Sequence, residues 1–368
     1  MRAFWLLFLP AVAYQTLALV AALLHWSKRN RDARPQSYPG VSVLKPIHGL
    51  DPNTAAAFLS QVQQDYPEFE VLFGVHNETD AAVPEIRRLQ TAFPASSIRL
   101  IVCRTKAPNG KVGTLVDLGR EARYPIWVVN DSDIKVTRAY LSSVVAPLSD
   151  ESIGVVTCPY RADAHSLATR WEALGIATDF MPSTLVAQQL GVREFGFGST
   201  LAFRAADLNS VGGFAALSDY LADDYQLARR ISGLGKRALL SHYTVETSLG
   251  EGTWAGVWNH QLRWARTIRV SKGGGYLGLP ITHAGIWVVL AAICGAWWPA
   301  LLLACVRILS GTTTAWLVLR SRQALALVWL APAWDLYAFA IWLASYGGSQ
   351  VRWRDKVLRI DPQGRIQP

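Results

Sequence analysis

Three kinds of hydrophobic pattern divide the chain. Phe4–Leu24 is a largely apolar stretch without a charged residue, long enough to cross a hydrocarbon core of ~30 Å as a helix rising ~1.5 Å per residue. Gly273–Val306 also lacks Asp, Glu, Lys and Arg, and its apolar character continues to about Tyr346 with only Arg307, Arg320, Arg322 and Asp335 interrupting. Between these ends, short apolar runs alternate with helical stretches. Val41–Ile47 reads as a strand and Asn53–Gln64 as a helix; Glu70–Val75 as a strand and Val83–Phe93 as a helix; Ile98–Arg104 as a strand and Lys111–Arg120 as a helix; Ile126–Val129 as a strand. This rhythm predicts an α/β, Rossmann-like fold, a mainly parallel sheet with helices on both faces, whose ligands sit at the carboxyl ends of the strands. Lys45, His76, Asn77 and Asp131–Asp133 all fall at such ends.

The pattern gives three expected parts: an N-terminal membrane anchor and basic flank over 1–34, a globular domain over 35–272, and a C-terminal membrane region with a basic tail over 273–368. Lys28, Arg29, Arg31 and Arg34 follow the first apolar run while only Arg2 precedes it, which predicts a retained anchor with the central domain in the cytoplasm. Gly273–Val306 is too long for one span; Gly295 and Pro299 mark a turn between two short spans, the second running to about Leu319. Ala324–Tyr346 is long enough for another span and holds Pro332 and Asp335; an acid there is costly unless paired or functional. Three C-terminal spans put the tail outside, whereas a re-entrant hairpin keeps it inside. The stretch 165–190 interleaves Leu167, Trp171, Leu174, Ile176, Phe180, Leu185 and Val186 with Arg170, Glu172 and Asp179. It is amphipathic, as befits either a helix on the bilayer surface or one facing a core.

Composition sharpens this picture. Of 368 residues 51% are apolar and 17% charged, which excludes a disordered chain. The net charge of +9 is concentrated beside the apolar segments. It therefore reads as positive-inside charge and contact with anionic lipid rather than nucleic-acid binding. The four cysteines form no CxxC pair, so neither a zinc site nor a disulfide framework is indicated.

Candidate chemistry gathers at few places. Asp131–Ser132–Asp133 projects two carboxylates from a strand end, either a polar turn or a pair of hard oxygen ligands for Mg²⁺ or Mn²⁺ bridging phosphates. Lys111 follows Pro108–Asn109–Gly110 at a helix start, where an ammonium and free N–H groups meet a phosphate or merely face solvent; Lys45 carries the same two readings. Asp223–Asp224 opens a helix, placed for the helix dipole or for a general base. Arg263 and Arg266 share one face of a helix, suited to a pyrophosphate, to a membrane interface with Trp264 as its aromatic anchor, or to both.

In this order the pieces resemble the family 2-like glycosyltransferases of GT-A fold, most of all the ceramide glucosyltransferase group and, within that group, the bacterial hopanoid biosynthesis-associated glycosyltransferases. The resemblance rests on Val43–Leu44–Lys45–Pro46, Gly49–Leu50–Asp51–Pro52, Gln64–Asp65–Tyr66–Pro67, Phe73–Gly74–Val75 and Asn130–Asp131–Ser132–Asp133. Also carrying it are Gly198–Ser199, Phe203–Arg204, Val211–Gly212–Gly213–Phe214, Ala222–Asp223–Asp224–Tyr225 and His260–Gln261–Leu262–Arg263–Trp264. It implies inverting, metal-dependent transfer from a UDP-sugar to a lipid hydroxyl at a multi-pass bacterial inner membrane, the catalytic domain facing the cytoplasm. Asp131 and Asp133 match the DxD that holds metal and donor, and Asp224 matches the base. Lys45, Asn77, Lys111, Asp131, His260, Gln261, Arg263 and Trp264 fall to the donor, and Gly198, Ser199 and Asp223 to the acceptor side. Two positions depart from the pattern: His260 stands at the first place of the [Q/R]xxRW motif, and Asn77, with Asp80 nearby, stands at an early acidic position.

The main expectation is N-acetylglucosamine transfer to a bacteriohopanetetrol-type hopanoid; the alternative is UDP-glucose to ceramide. A processive polysaccharide synthase would need more channel-forming spans. A degenerate, membrane-anchored binding protein would not need Asp131, Asp133, Asp224 and Arg263 together.

Overall fold

A computed structural model describes residues 8–29, 37–51, 53–250, 252–353 and 356–367. Arg2, Phe4, Arg31, Arg34 and Pro52 lie outside them. The chain folds as two compact units: one of residues 30–160 and 192–248, the other of residues 1–29, 161–191 and 249–368.

The first unit is built on a seven-stranded sheet. In spatial order its strands are Ser97–Val102, Phe69–Val75, Val41–Pro46, Ile126–Val129, Leu201–Arg204, Ile153–Thr157 and Arg237–Leu240. The first four are parallel, and so are Ile153–Thr157 and Arg237–Leu240. Leu201–Arg204 runs antiparallel to both its neighbours, with Val128 opposite Ala202. The mainly parallel sheet read from the sequence is thus present, with element limits within a few residues of those expected. The strands Val41–Pro46 and Ile126–Val129 are buried almost throughout, because helices cover a parallel sheet on its faces. Leu44, Leu72, Leu115, Leu118, Phe203 and Ile231 form the core on one side, where the rings of Trp127 and Phe214 stack with centroids 5.5 Å apart. The reversed strand brings its amino end, Gly198–Thr200, beside the carboxyl end of Ile126–Val129.

The second unit is helical. Among the described residues, three helices are long and apolar enough to cross a membrane: Leu9–Lys28, Trp297–Val318 and Arg322–Ser345. The first ends four residues beyond the expected apolar run and takes in Lys28. The expected turn near Gly295 is present: its φ of 71°, open to glycine without strain, separates Ala284–Ile293 from Trp297–Thr313. The helix Ala284–Ile293 has 10 residues, roughly 15 Å of rise, about half of what a span needs. The tail forms a small antiparallel sheet of Gln350–Trp353, Lys356–Ile360 and Ile366–Gln367.

The stretches 161–191 and 249–272, read from sequence as parts of the globular domain, belong to this helical unit. Residues 167–189 form Leu167–Gly175, a π-turn over Ile176–Phe180, and Met181–Gln189. Leu174, Ile176, Leu185 and Val186 are buried there, and Tyr14 meets Ser183 at 2.9 Å. The amphipathic stripe therefore faces other helices. Asp335 is paired, as an acid within a span must be. Its Oδ2 and Oδ1 accept from Arg307 Nε at 2.9 Å and Nη2 at 2.5 Å, and Arg307 also donates to the carbonyl of Thr178. All four cysteines are free thiols.

Candidate active site

The acidic turn is fixed from below. Lys45, buried at the end of its strand, donates to Asn130 Oδ1 at 2.7 Å and to the Asp131 carbonyl at 2.5 Å. Asn130 in turn donates to the Tyr140 hydroxyl at 3.2 Å. Burial pulls the Lys45 ammonium down to about 7, against the opposing attraction of Asp133 and Asp131. A side chain so enclosed holds the turn in shape; it does not present its charge outward.

Gly198 joins the acidic turn to the acidic helix start. Its carbonyl accepts from the Asp131 amide at 3.0 Å, and its own amide donates to Asp224 Oδ2 at 2.9 Å. A Cβ here would stand 2.5 Å from Asp131 Oδ2, so only glycine permits the approach. Asp224 Oδ1 accepts from the amide of Tyr225 at 2.7 Å. Lys111 adds a second link, pairing with Asp131 at 2.7 Å and Asp223 at 3.3 Å. Its helix, Gly110–Glu121, is capped by Asn109, whose amide also reaches the Tyr220 carbonyl at 2.8 Å and Asp223 at 3.4 Å.

Electrostatics follow from this crowding. Burial would lower Lys111, but Asp131, Asp223 and Asp224 outweigh it and hold its ammonium above the ordinary range. Burial, reinforced by Asp223, pushes Asp224 up to about 6 against the pull of Lys111. Asp133 is raised by burial and by Asp131, although its Oδ2 accepts from Thr247 Oγ1 at 2.6 Å and from the Ser248 amide at 2.9 Å.

No cluster of three or more His, Cys, Asp or Glu side chains suited to a metal occurs among the described residues. Asp131 and Asp133 can supply two carboxylates. That fits Mg²⁺ or Mn²⁺, which take one or two carboxylates and complete their shell with substrate phosphates. Asp131 is 44% exposed, open to such a ligand. Four carboxylates crowd here against the ammoniums of Lys45 and Lys111, a surplus that a divalent cation would balance.

The remaining expected residues are placed as follows. Asn77 is exposed, its side chain accepting from the Thr79 amide at 3.0 Å in a turn; Asp80 accepts from the Gly49 amide at 2.9 Å. Ser199 is buried and donates to the Cys158 carbonyl at 3.1 Å. His260, Gln261, Arg263 and Trp264 belong to the helical unit, on Trp254–Ser271. There His260 Nδ1 and Gln261 Nε2 donate to Glu172 Oε1 at 2.5 and 2.8 Å. Sequence reasoning passed over Asn109 and Glu172 as site residues; Asn109 was legible as a helix cap, while Glu172 looked like one polar residue of an amphipathic stripe.

Residues 3–366 match the model of glycosyl transferase family 21. Over 231 residues the chain is 29% identical to ceramide glucosyltransferase 1 of Caenorhabditis elegans, covering 62% of this chain and 49% of that protein. Over 156 residues it is 28% identical to a ceramide glucosyltransferase of Komagataella phaffii, covering 39% and 31%. The chain thus spans about half the length, or less, of these relatives. A mannosyltransferase from Pyrobaculum calidifontis, solved with GDP-Man and Mn²⁺, superposes with a TM-score of 0.55 at 21% identity. It covers 92% of this chain and 99% of that one. This last likeness establishes the fold.

Proposed function

The chain belongs to glycosyl transferase family 21, and from that premise we propose that this membrane glycosyltransferase moves glucose from UDP-glucose to a hydroxyl of a ceramide-type lipid, with inversion. The observation that carries the reading is Gly198, whose backbone bonds Asp131 on one side and Asp224 on the other while Lys111 ties Asp131 to Asp223. Acidic groups for a donor and a base for an acceptor thereby share one cluster. The relatives' names support a sphingolipid acceptor over the hopanoid expected first; the bacterial inner-membrane setting goes with the hopanoid reading. Cytoplasmic orientation rests on the basic residues that end the first helix.

Asp224 takes the proton from the attacking acceptor hydroxyl. Its two backbone N–H partners aim the carboxylate, and a value near 6 suits a base working close to neutral pH. Lys111 offers fixed positive charge for the diphosphate. Asp131 and Asp133 would hold Mg²⁺ or Mn²⁺, which when bound offsets negative charge on a departing diphosphate. His260, Gln261, Arg263 and Trp264 keep the donor role that the resemblance implies.

The test is product formation. Membranes holding the chain are incubated with labelled UDP-glucose or UDP-N-acetylglucosamine against ceramide or a polyhydroxylated hopanoid. UDP-glucose with ceramide should give glycolipid; product only from UDP-N-acetylglucosamine and hopanoid would replace this reading with that one. Asp224→Asn should abolish transfer and leave UDP-glucose binding nearly intact. Asp133→Ala should lose the Mn²⁺-dependent part of UDP binding.

A further inference from the structure

Glu172 is a carboxylate where packing alone asks for none. It lies on Leu167–Gly175 and is 3% exposed. One oxygen, Oε1, takes both His260 Nδ1 and Gln261 Nε2. A carboxylate only accepts, so Nδ1 is the protonated nitrogen of the imidazole in this contact. His260 and Gln261 are consecutive, and consecutive side chains leave a helix about 100° apart. Two diverging donors gathered on one atom fix both the rotation of Trp254–Ser271 about its axis and its height along that axis. Trp264 stands one turn on from His260, their rings 4.7 Å apart, with Phe180 5.5 Å from Trp264 on its other contact.

The two helices are held together without this contact. Ser166, the capping residue before Leu167, donates to the Gly252 carbonyl at 2.7 Å. The rings of Trp171 and Trp258 both pack on Tyr337, at 6.0 and 5.7 Å. An apolar side chain at 172 would serve that packing, whereas a buried carboxylate is costly unless matched in geometry. We infer that Glu172 is a positioning residue: it sets the direction of His260 and Gln261 and, through the shared helix, of Arg263 and Trp264. Its effect on turnover rests on the proposed function; the contact itself does not.

The experiment uses the full chain in lipid nanodiscs as wild type, Glu172→Gln, Glu172→Ala, His260→Ala and the double variant Glu172→Ala/His260→Ala. It reads imidazole ¹⁵N NMR, UDP-glucose affinity, turnover with ceramide, and the thermal midpoint. The hydrogen-bonded Nδ1–H signal, assigned by its absence in His260→Ala, should vanish in Glu172→Ala. Turnover should fall roughly 10- to 100-fold with a midpoint close to wild type. Glu172→Gln, which keeps shape and an acceptor oxygen, should fall less. The double variant should be no worse than the poorer single one, because Glu172→Ala already removes the His260 contact together with that of Gln261. An unchanged Nδ1–H signal in Glu172→Ala, wild-type turnover, or losses that multiply would overturn the inference. If Glu172→Ala does not fold, the same readings on Glu172→Leu, which fills the site and removes both acceptor oxygens, decide. If the wild type neither binds nor turns over UDP-glucose, the proposed function falls, and the Nδ1–H signal alone decides whether Glu172 holds His260.

Discussion

The two units treat clustered charge in opposite ways. In the helical unit Arg307 and Asp335 form a closed account: two contacts to the carboxylate, a third to the Thr178 carbonyl, and the Gly285 amide donating to Asp335 at 2.8 Å. In the sheet unit Asp131, Asp133, Asp223 and Asp224 gather around Lys45 and Lys111, and burial, with Asp223 beside it, pushes Asp224 up to about 6. Matched charge in a low-dielectric interior joins helices. Unmatched charge at strand ends is poised for a cation and a substrate. The lesson is that burial of a charged residue does not mark function; incomplete compensation does.

The largest effect expected from this contrast is on stability. Asp335→Ala leaves the Arg307 guanidinium buried without its carboxylate and should destabilise the helical unit by about 3–5 kcal/mol. Arg307→Met with Asp335→Leu should restore much of it. Thermal unfolding in nanodiscs reads both. Chain that survives purification should keep its UDP-glucose affinity. Loss of that affinity in the folded double variant would mean the pair has a role in chemistry and would erase the contrast.

Next in size is Gly198→Ala. The added methyl meets Asp131 Oδ2 at 2.5 Å, so the acidic turn must move away from the amide that aims Asp224. Displacement of a reacting group by such amounts costs on the order of 100-fold in rate. Turnover should fall by that amount while the thermal midpoint barely moves. A fall in stability with normal turnover of the folded fraction would place Gly198 among packing residues instead.

Much of this was legible in the sequence, and the failures have physical causes. The strands Val41–Pro46 and Ile126–Val129 are doubly buried, so their apolar runs stand out against polar flanks, and the acidic turn after the latter is located by the same signal. The reversed strand Leu201–Arg204 was not: a four-residue apolar run carries no mark of direction, yet direction is what sets Gly198 beside Asp131. Lys45 was read as a donor contact because position at a strand end says nothing about which way an ammonium points. The domain boundary was placed by hydropathy at 272. Hydropathy does not register that residues 161–191, with Glu172 and the π-turn at Ile176–Phe180, pack among the apolar helices. Glu172 itself has no local signal, since its partners lie 88 and 89 residues away.

The smallest effect is also the finest probe of incomplete compensation. Asp224 is raised above the ordinary carboxylate range, to about 6, by burial first and by Asp223 second. Two consequences have opposite sign. As a base it must be ionised, so turnover should decline as pH falls through about 6. As a buried acid its ionisation opposes folding, so its contribution to stability is most favourable below its unfolded value of about 4 and is lost as pH rises through about 6. Between those limits turnover and stability should therefore run against each other, whereas a surface carboxylate would show neither trend. Asp223→Asn removes the second cause while keeping the planar side-chain shape beside Asn109. The acid limb of kcat should then move to lower pH by roughly one unit or less, and the stability penalty above pH ~6 should shrink with it. If the limb stays where it was, Asp224 is not the group whose ionisation limits turnover, and the surplus of acid in the sheet unit serves binding alone.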